Sequence, residues 1–226
     1  MACGGILDLY ERADGIFAAA HLLRPAEGAD VDAIRLAPLL MLEVGDASEA
    51  VVPAGAPTVY YERSDVEIDG RTLEQWTYLW LHPDSSRESE AQGIRMTLEV
   101  DGFPAIFEVL RDSSGARPVF VSTVLENEAA ERLGPPLPGR RFAIEPSVAE
   151  APRVVVPGVL EPGPMPLGPF VYVTKKTNDV ATVICRCMSS QVESVVRSSE
   201  YRLEPLGESP DGFDRPQVVL RRPDPS

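Results

Sequence analysis

From residue 94 to residue 101 apolar and polar side chains alternate without a break. Ile94, Met96, Leu98 and Val100 interleave with Arg95, Thr97, Glu99 and Asp101. Successive side chains on a strand point to opposite faces, so this stretch predicts a strand with one buried and one wet face. A strand needs neighbours, and the flanking sequence offers them. Asp101-Gly102 is a turn pair, and residues 104–110 supply a returning strand.

The same grammar recurs on both sides. Thr58–Glu62 and Val66–Ile68 are rich in β-formers and lead through Asp69-Gly70 into a long β-like run from Thr72 to His82. Residues 36–44 read as a short buried strand. Residues 118–125 read as another, after a turn over 112–117. Phe170–Thr174 and Val180–Met188 form a second hairpin turning at Lys175–Asp179.

Helical spacing is confined to fewer places. Ile6, Leu9, Tyr10, Ala13, Ile16, Phe17, Ala20 and Leu23 recur at three- and four-residue steps, which predicts a helix over 5–23, ended by Pro25. A short helix over 126–133 stops at Gly134. Ser189 or Ser190 is a plausible N-cap for a third helix, with Val192, Val195, Val196 and Leu203 on one face. The expected fold class is therefore α+β: a mostly antiparallel sheet built from hairpins, with an N-terminal helix and a C-terminal helix packed on it. Residues 1–226 read as a single domain, because the C-terminal hairpin and helix are too small to fold alone.

Two stretches differ in composition. Residues 135–169 hold 10 of the 22 prolines. Proline cannot donate to a ladder, so this is read as an extended, surface-hugging segment, with a strand only at Arg153–Val156. From residue 208 the chain is polar and proline-rich, with a short edge strand at Val218–Leu220.

Composition excludes some function classes. With 44% hydrophobic and 25% charged residues the chain has the make-up of a folded protein. Its net charge of −14 repels phosphate backbones and anionic lipid. The basic pairs Arg140-Arg141, Lys175-Lys176 and Arg221-Arg222 are too small to reverse that, so neither nucleic acid nor a membrane surface is an expected partner. No run approaches the length of a membrane span and the N-terminus lacks a signal-peptide pattern. Three cysteines, Cys3, Cys185 and Cys187, are an odd number at low density, which points to a reducing, cytoplasmic setting.

Candidate chemistry is sparse. On a strand, Trp76, Tyr78, Trp80 and His82 share one face, and both tryptophans of the chain lie in that row. Aligned aromatics can stack on a flat ligand, which makes these four the candidate ligand-binding residues; packing in a core is the competing explanation. Cys185-Arg186-Cys187 ends one expected strand just before the expected C-terminal helix. Two sulfurs on one side there suit a nucleophile, with Cys187 the first candidate, or soft metal ligands; burial as inert thiols is the plainer alternative. Too few further ligands exist for a zinc site, so no metal is expected. Asp65–Gly70 resembles the start of a calcium loop, but its twelfth position is Trp76 where a bidentate Glu is required. His21 falls on no evident site. Nucleotide-binding fingerprints are missing, and no cofactor is expected.

The residues thus favour a binding or interaction domain, with a small-ligand pocket lined by aromatics, self-association or a protein partner as the means. The alternative is an enzyme using a cysteine nucleophile or a carboxylate acid/base pair.

Overall fold

Strands dominate the molecule. The computed structural model describes residues 5–28, 30–45, 57–68, 70–81, 91–135, 154–189 and 191–207. The first half of the chain forms α1 (Gly5–Ala13), β1 (Phe17–Pro25), α2 (Val31–Leu36), β2 (Leu39–Glu43), β3 (Thr58–Ile68), β4 (Arg71–Leu81), β5 (Ala91–Leu98) and β6 (Pro104–Val109). There follow β7 (Arg117–Ser122), α3 (Thr123–Leu133), β8 (Val154–Val155), β9 (Val159–Leu160), β10 (Phe170–Val173), β11 (Val180–Ile184) and β12 (Val192–Pro205). All the strands join one sheet, in the order β11-β10-β2-β1-β12-β3-β4-β5-β6-β7-β8, with β9 also paired to β7.

This corrects the expected fold class. Among the described residues 52% lie in strands and 14% in helices, and the three helices there are short. The sheet is mixed: β1–β12, β2–β10, β3–β12, β7–β8 and β7–β9 are parallel, and the hairpins are antiparallel.

The N-terminal helix is cut short and the C-terminal one is overturned, each for a physical reason. α1 ends at Ala13, where the Asp14 and Gly15 amides bond back to the Tyr10 and Arg12 carbonyls, and the chain then enters β1. β1 lies between β2 and β12, and Ala19, Ala20, His21 and Leu23 are all buried. Such a strand shows no period of two, so an apolar run in it reads as a helix face. The expected C-terminal helix is β12 instead. Val192, Val195 and Val196 are β-branched, stiff at χ1, and suited to an extended backbone.

The hairpins fall where turn chemistry requires them. Gly70 closes β3–β4 at φ 75° and Gly102 closes β5–β6 at φ 83°, left-handed values that favour glycine. β5 ends at Leu98, which leaves Val100 exposed in the turn. Its polar face is covered too: Thr97 is buried and accepts from Gln75 Nε2 at 2.9 Å. α3 starts from Ser122, whose hydroxyl accepts from the Leu125 amide, and stops at Gly134. Of the proline-rich segment, residues 136–153 lie outside the described residues, as does Val218–Leu220; β8 falls within the expected strand.

The sheet curls so that its two ends share one core. Val180 and Val183 of β11 belong to the same buried cluster as Trp76, Ile94, Phe107, Phe120 and Leu160. An ionic clamp joins the same two ends. Arg12 on α1 donates to Asp112 after β6 at 2.6 Å, and pairs at 3.0 Å with Asp179, which precedes β11. Ser113 donates to Asp179 and Ser114 to Asp112, each through its amide and its hydroxyl.

Candidate functional site

The aromatic row is part of the core. Trp76, Tyr78 and Trp80 are 2%, 0% and 6% exposed, so no face of the row meets solvent. Trp76 stacks with Tyr61 at 6.0 Å and with Tyr78 at 6.3 Å, and the Arg63 guanidinium lies over its ring. Leu73, Gln75, Thr77 and Leu79 on the opposite face of β4 are buried as well. A central strand covered on both sides, not a stacking platform, explains the tryptophans. His82, the fourth member, lies outside the described residues.

The cysteine pair is not buried. β11 delivers the chain into a tight turn, in which the Met188 amide donates to the Cys185 carbonyl at 3.1 Å. Cys185 is half-buried and Cys187 exposed, both as free thiols, with their sulfurs 2.6 Å apart. The Cys187 amide donates to Cys185 Sγ at 3.3 Å. Burial, followed by the thiol contact with Cys187, pushes the Cys185 pKa up.

Arg186 between them explains this placement. Its side chain turns inward and donates to the carbonyl of Ala37, at the end of α2. Tyr78 donates to the Ala33 carbonyl at 2.9 Å and Tyr201 to the Pro38 carbonyl at 2.8 Å. Three donors from three strands or turns thereby satisfy carbonyls at and beyond the end of α2, which no helical bond reaches. Burial lowers the Arg186 pKa and raises those of both tyrosines, which keeps the two phenols neutral. With residue 186 drawn inward, residues 185 and 187 are left together on the outer side.

A small cleft adjoins the turn. Phe103, Phe107, Leu160, Gly163, Met165 and Cys185 line it, and its volume of about 20 Å³ suits about one water molecule. Trp76, Tyr78 and Trp80 do not line it. A Cβ at residue 163 would come within 2.8 Å of Cys185 Sγ, so that side chain would have to shift.

β12 leaves the same turn and is paired unequally. Its residues 192–201 run beside β1, but β3 joins its other edge only from Arg202. Gln191 and Tyr201 turn their carbonyls to β1, and the Arg202 amide turns to Pro57 before β3. Backbone groups alternate sides along a strand. Those of Val192, Ser194, Ser198 and Glu200 therefore point away from β1, along an edge with no strand partner among the described residues; between them the pairing with β1 steps from Val195 to Arg197, so Val196 is an extra residue that breaks the alternation. Glu193, Val195 and Arg197 on this stretch are all exposed.

His21 lies on β1, buried, with Nε2 2.7 Å from Ser199 Oγ of β12. Burial, then the Arg197 charge, lowers its pKa. Among the described residues no three His, Cys, Asp or Glu side chains gather as a group able to hold a metal, and no helix is long and apolar enough to cross a membrane. Sequence reading named the cysteines but missed the β12 edge, because it took that stretch as a helix. Comparison with protein-family models, curated proteins and solved structures found no match.

Proposed function

We propose that this protein is a non-enzymatic interaction module that joins a second copy of itself by pairing β12 with β12 across a twofold axis. The observation that carries this reading is the edge of residues 192–200, which has no strand partner among the described residues. A row of backbone donors and acceptors that no described strand pairs is a template for strand addition.

Charge complementarity selects the occupant and the register. In an antiparallel pair of identical strands centred on Val195, the outward backbone groups of Val192 meet those of Ser198 in the other copy, and Ser194 lies opposite the extra residue Val196. The intervening side chains then form pairs without hydrogen bonds between their backbones, where side chains approach most closely. Glu193 faces Arg197 of the other copy, twice by symmetry, and Val195 faces itself. Centring the pair on Arg197 instead sets two guanidinium groups against each other.

A reducing, cytoplasmic setting accords with this reading, since the odd cysteine count does not serve a disulfide framework. Hydrogen exchange across a dilution series tests the pairing. The amides of Ser194 and Ser198 are expected to be protected at high concentration and to exchange rapidly on dilution, while β1-facing amides stay protected throughout. Rapid exchange of both at every concentration would overturn the reading.

A further inference from the structure

Beyond self-association, we infer that Cys185 and Cys187 form a reversible dithiol–disulfide couple that exchanges with disulfides of low molecular weight. Three independent observations support it. The thiols are accessible, one half-buried and one exposed. They are held in contact by an anchor that is not a sulfur: Arg186, drawn inward to the Ala37 carbonyl, leaves both on one side with their sulfurs 2.6 Å apart. The opposing loop at Gly163 makes room for them, since a side chain there would meet Cys185 Sγ at 2.8 Å and Cys187 Sγ at 3.7 Å.

Position assigns the roles. Cys187 is exposed and meets the incoming disulfide R–S–S–R. Its thiolate attacks one sulfur; the Cys187–S–S–R bond forms as the S–S bond of R–S–S–R breaks, and the departing thiolate takes up the proton that Cys187 released. Cys185, beside it on the cleft wall, is the resolving thiol. Its thiolate attacks Cys187 Sγ, the intramolecular bond forms, and the second R–S⁻ leaves and takes the Cys185 proton. The pair is oxidised by two electrons and R–S–S–R is reduced to two R–SH. Excess R–SH reverses both steps.

The spacing bears on the use of such a bond. A ring closed over a single intervening residue is strained, and strained, exposed bridges are the labile ones. This couple is therefore a reversible element and not a structural staple.

Intact-mass measurement on the full chain carrying Cys3→Ser, equilibrated in glutathione buffers of stepped oxidation, tests the assignment. The expected result is a change from the dithiol to a species lighter by two hydrogens, mapped to the peptide holding Cys185 and Cys187, with little glutathione retained. Adding Cys185→Ser should trap glutathione on Cys187, raising the adduct roughly tenfold over the parent because the resolving thiol is gone. A parent that stays reduced in pure glutathione disulfide, or that retains one glutathione on each cysteine, would overturn the inference. So would a folded Cys185→Ser variant that accumulates no adduct. Should that variant fail to fold, as judged by circular dichroism, the parent's mass series decides alone.

Discussion

Arg12 and Asp112, 100 residues apart in the chain, meet at 2.6 Å with the carboxylate fully withdrawn from solvent. The same guanidinium reaches Asp179 at 3.0 Å, so one cation fastens both ends of a curled sheet. Removing it leaves two buried carboxylates facing each other. Arg12→Met is expected to cost about 3–5 kcal/mol, the usual loss when one partner of a buried pair is deleted. Urea denaturation measures this, and a loss below about 1 kcal/mol would show that the clamp does not hold the ends together.

Trp76 separates a core from a ligand platform. Its ring is buried and stacks with Tyr61 and with Tyr78. Trp76→Ala should lower stability by about 3–5 kcal/mol through lost burial and the cavity left behind. A nearly unchanged melting temperature would mean the ring is exposed in solution, and would restore the stacking surface.

The terminal carbonyls of α2 are approached so closely that residue 168 has no room for a side chain. A Cβ on Gly168 would sit 2.1 Å from the Leu36 carbonyl oxygen, a backbone atom that cannot swing away. Gly168→Ala should therefore prevent Arg186, Tyr78 and Tyr201 from converging on this end of α2. Loss of the cooperative unfolding transition is the expected outcome, whereas a wild-type melting curve would refute the close approach.

Acidity acts on two buried groups with opposite signs. His21 has a folded pKa below its ordinary 6.5, so the unfolded chain takes up the proton first. Stability associated with it is complete above about pH 6.5 and is lost as pH falls from there to the folded pKa. Glu108 is raised by burial, against the attraction of Arg95 and Arg117, so the folded chain protonates first. It costs stability at neutral pH, and that cost is relieved as pH falls through the folded pKa towards the ordinary carboxylate range. His21→Gln should flatten the stability profile just below pH 6.5, and Glu108→Gln should raise stability at pH 7. Unchanged slopes in both variants would remove these residues from the pH response.

What could be read in the sequence depended on local signals. The hairpins at Gly70 and Gly102 were legible because turn chemistry and alternation lie side by side. α3 was legible from Gly134, and β10–β11 from its flanking β-branched residues. β1 and β12 were not, because their apolar residues answer to neighbours far along the chain: Ala20 packs with Met41 and Tyr172, and the Tyr201 hydroxyl reaches Pro38. The parallel β1–β12 pairing leaves no mark in either segment alone. At the candidate site, Cys185 and Cys187 were visible as a spacing. The inward Arg186 that sets them together was not, since nothing near residue 186 announces the end of α2. Trp76, Tyr78 and Trp80 were correctly placed on one strand face, but whether a second layer covers that face is a tertiary property.

Self-pairing through β12 is tested most directly by native mass spectrometry of a charge-reversal cycle at residues 193 and 197. The wild-type chain is expected to appear as a dimer. Glu193→Arg and Arg197→Glu, singly, each set like charges opposite one another and should shift the population to monomer. The double variant restores Glu-to-Arg pairing in the opposite sense and should recover the dimer. A wild-type chain that is monomeric at every concentration, or a double variant no more dimeric than either single one, would contradict the proposal.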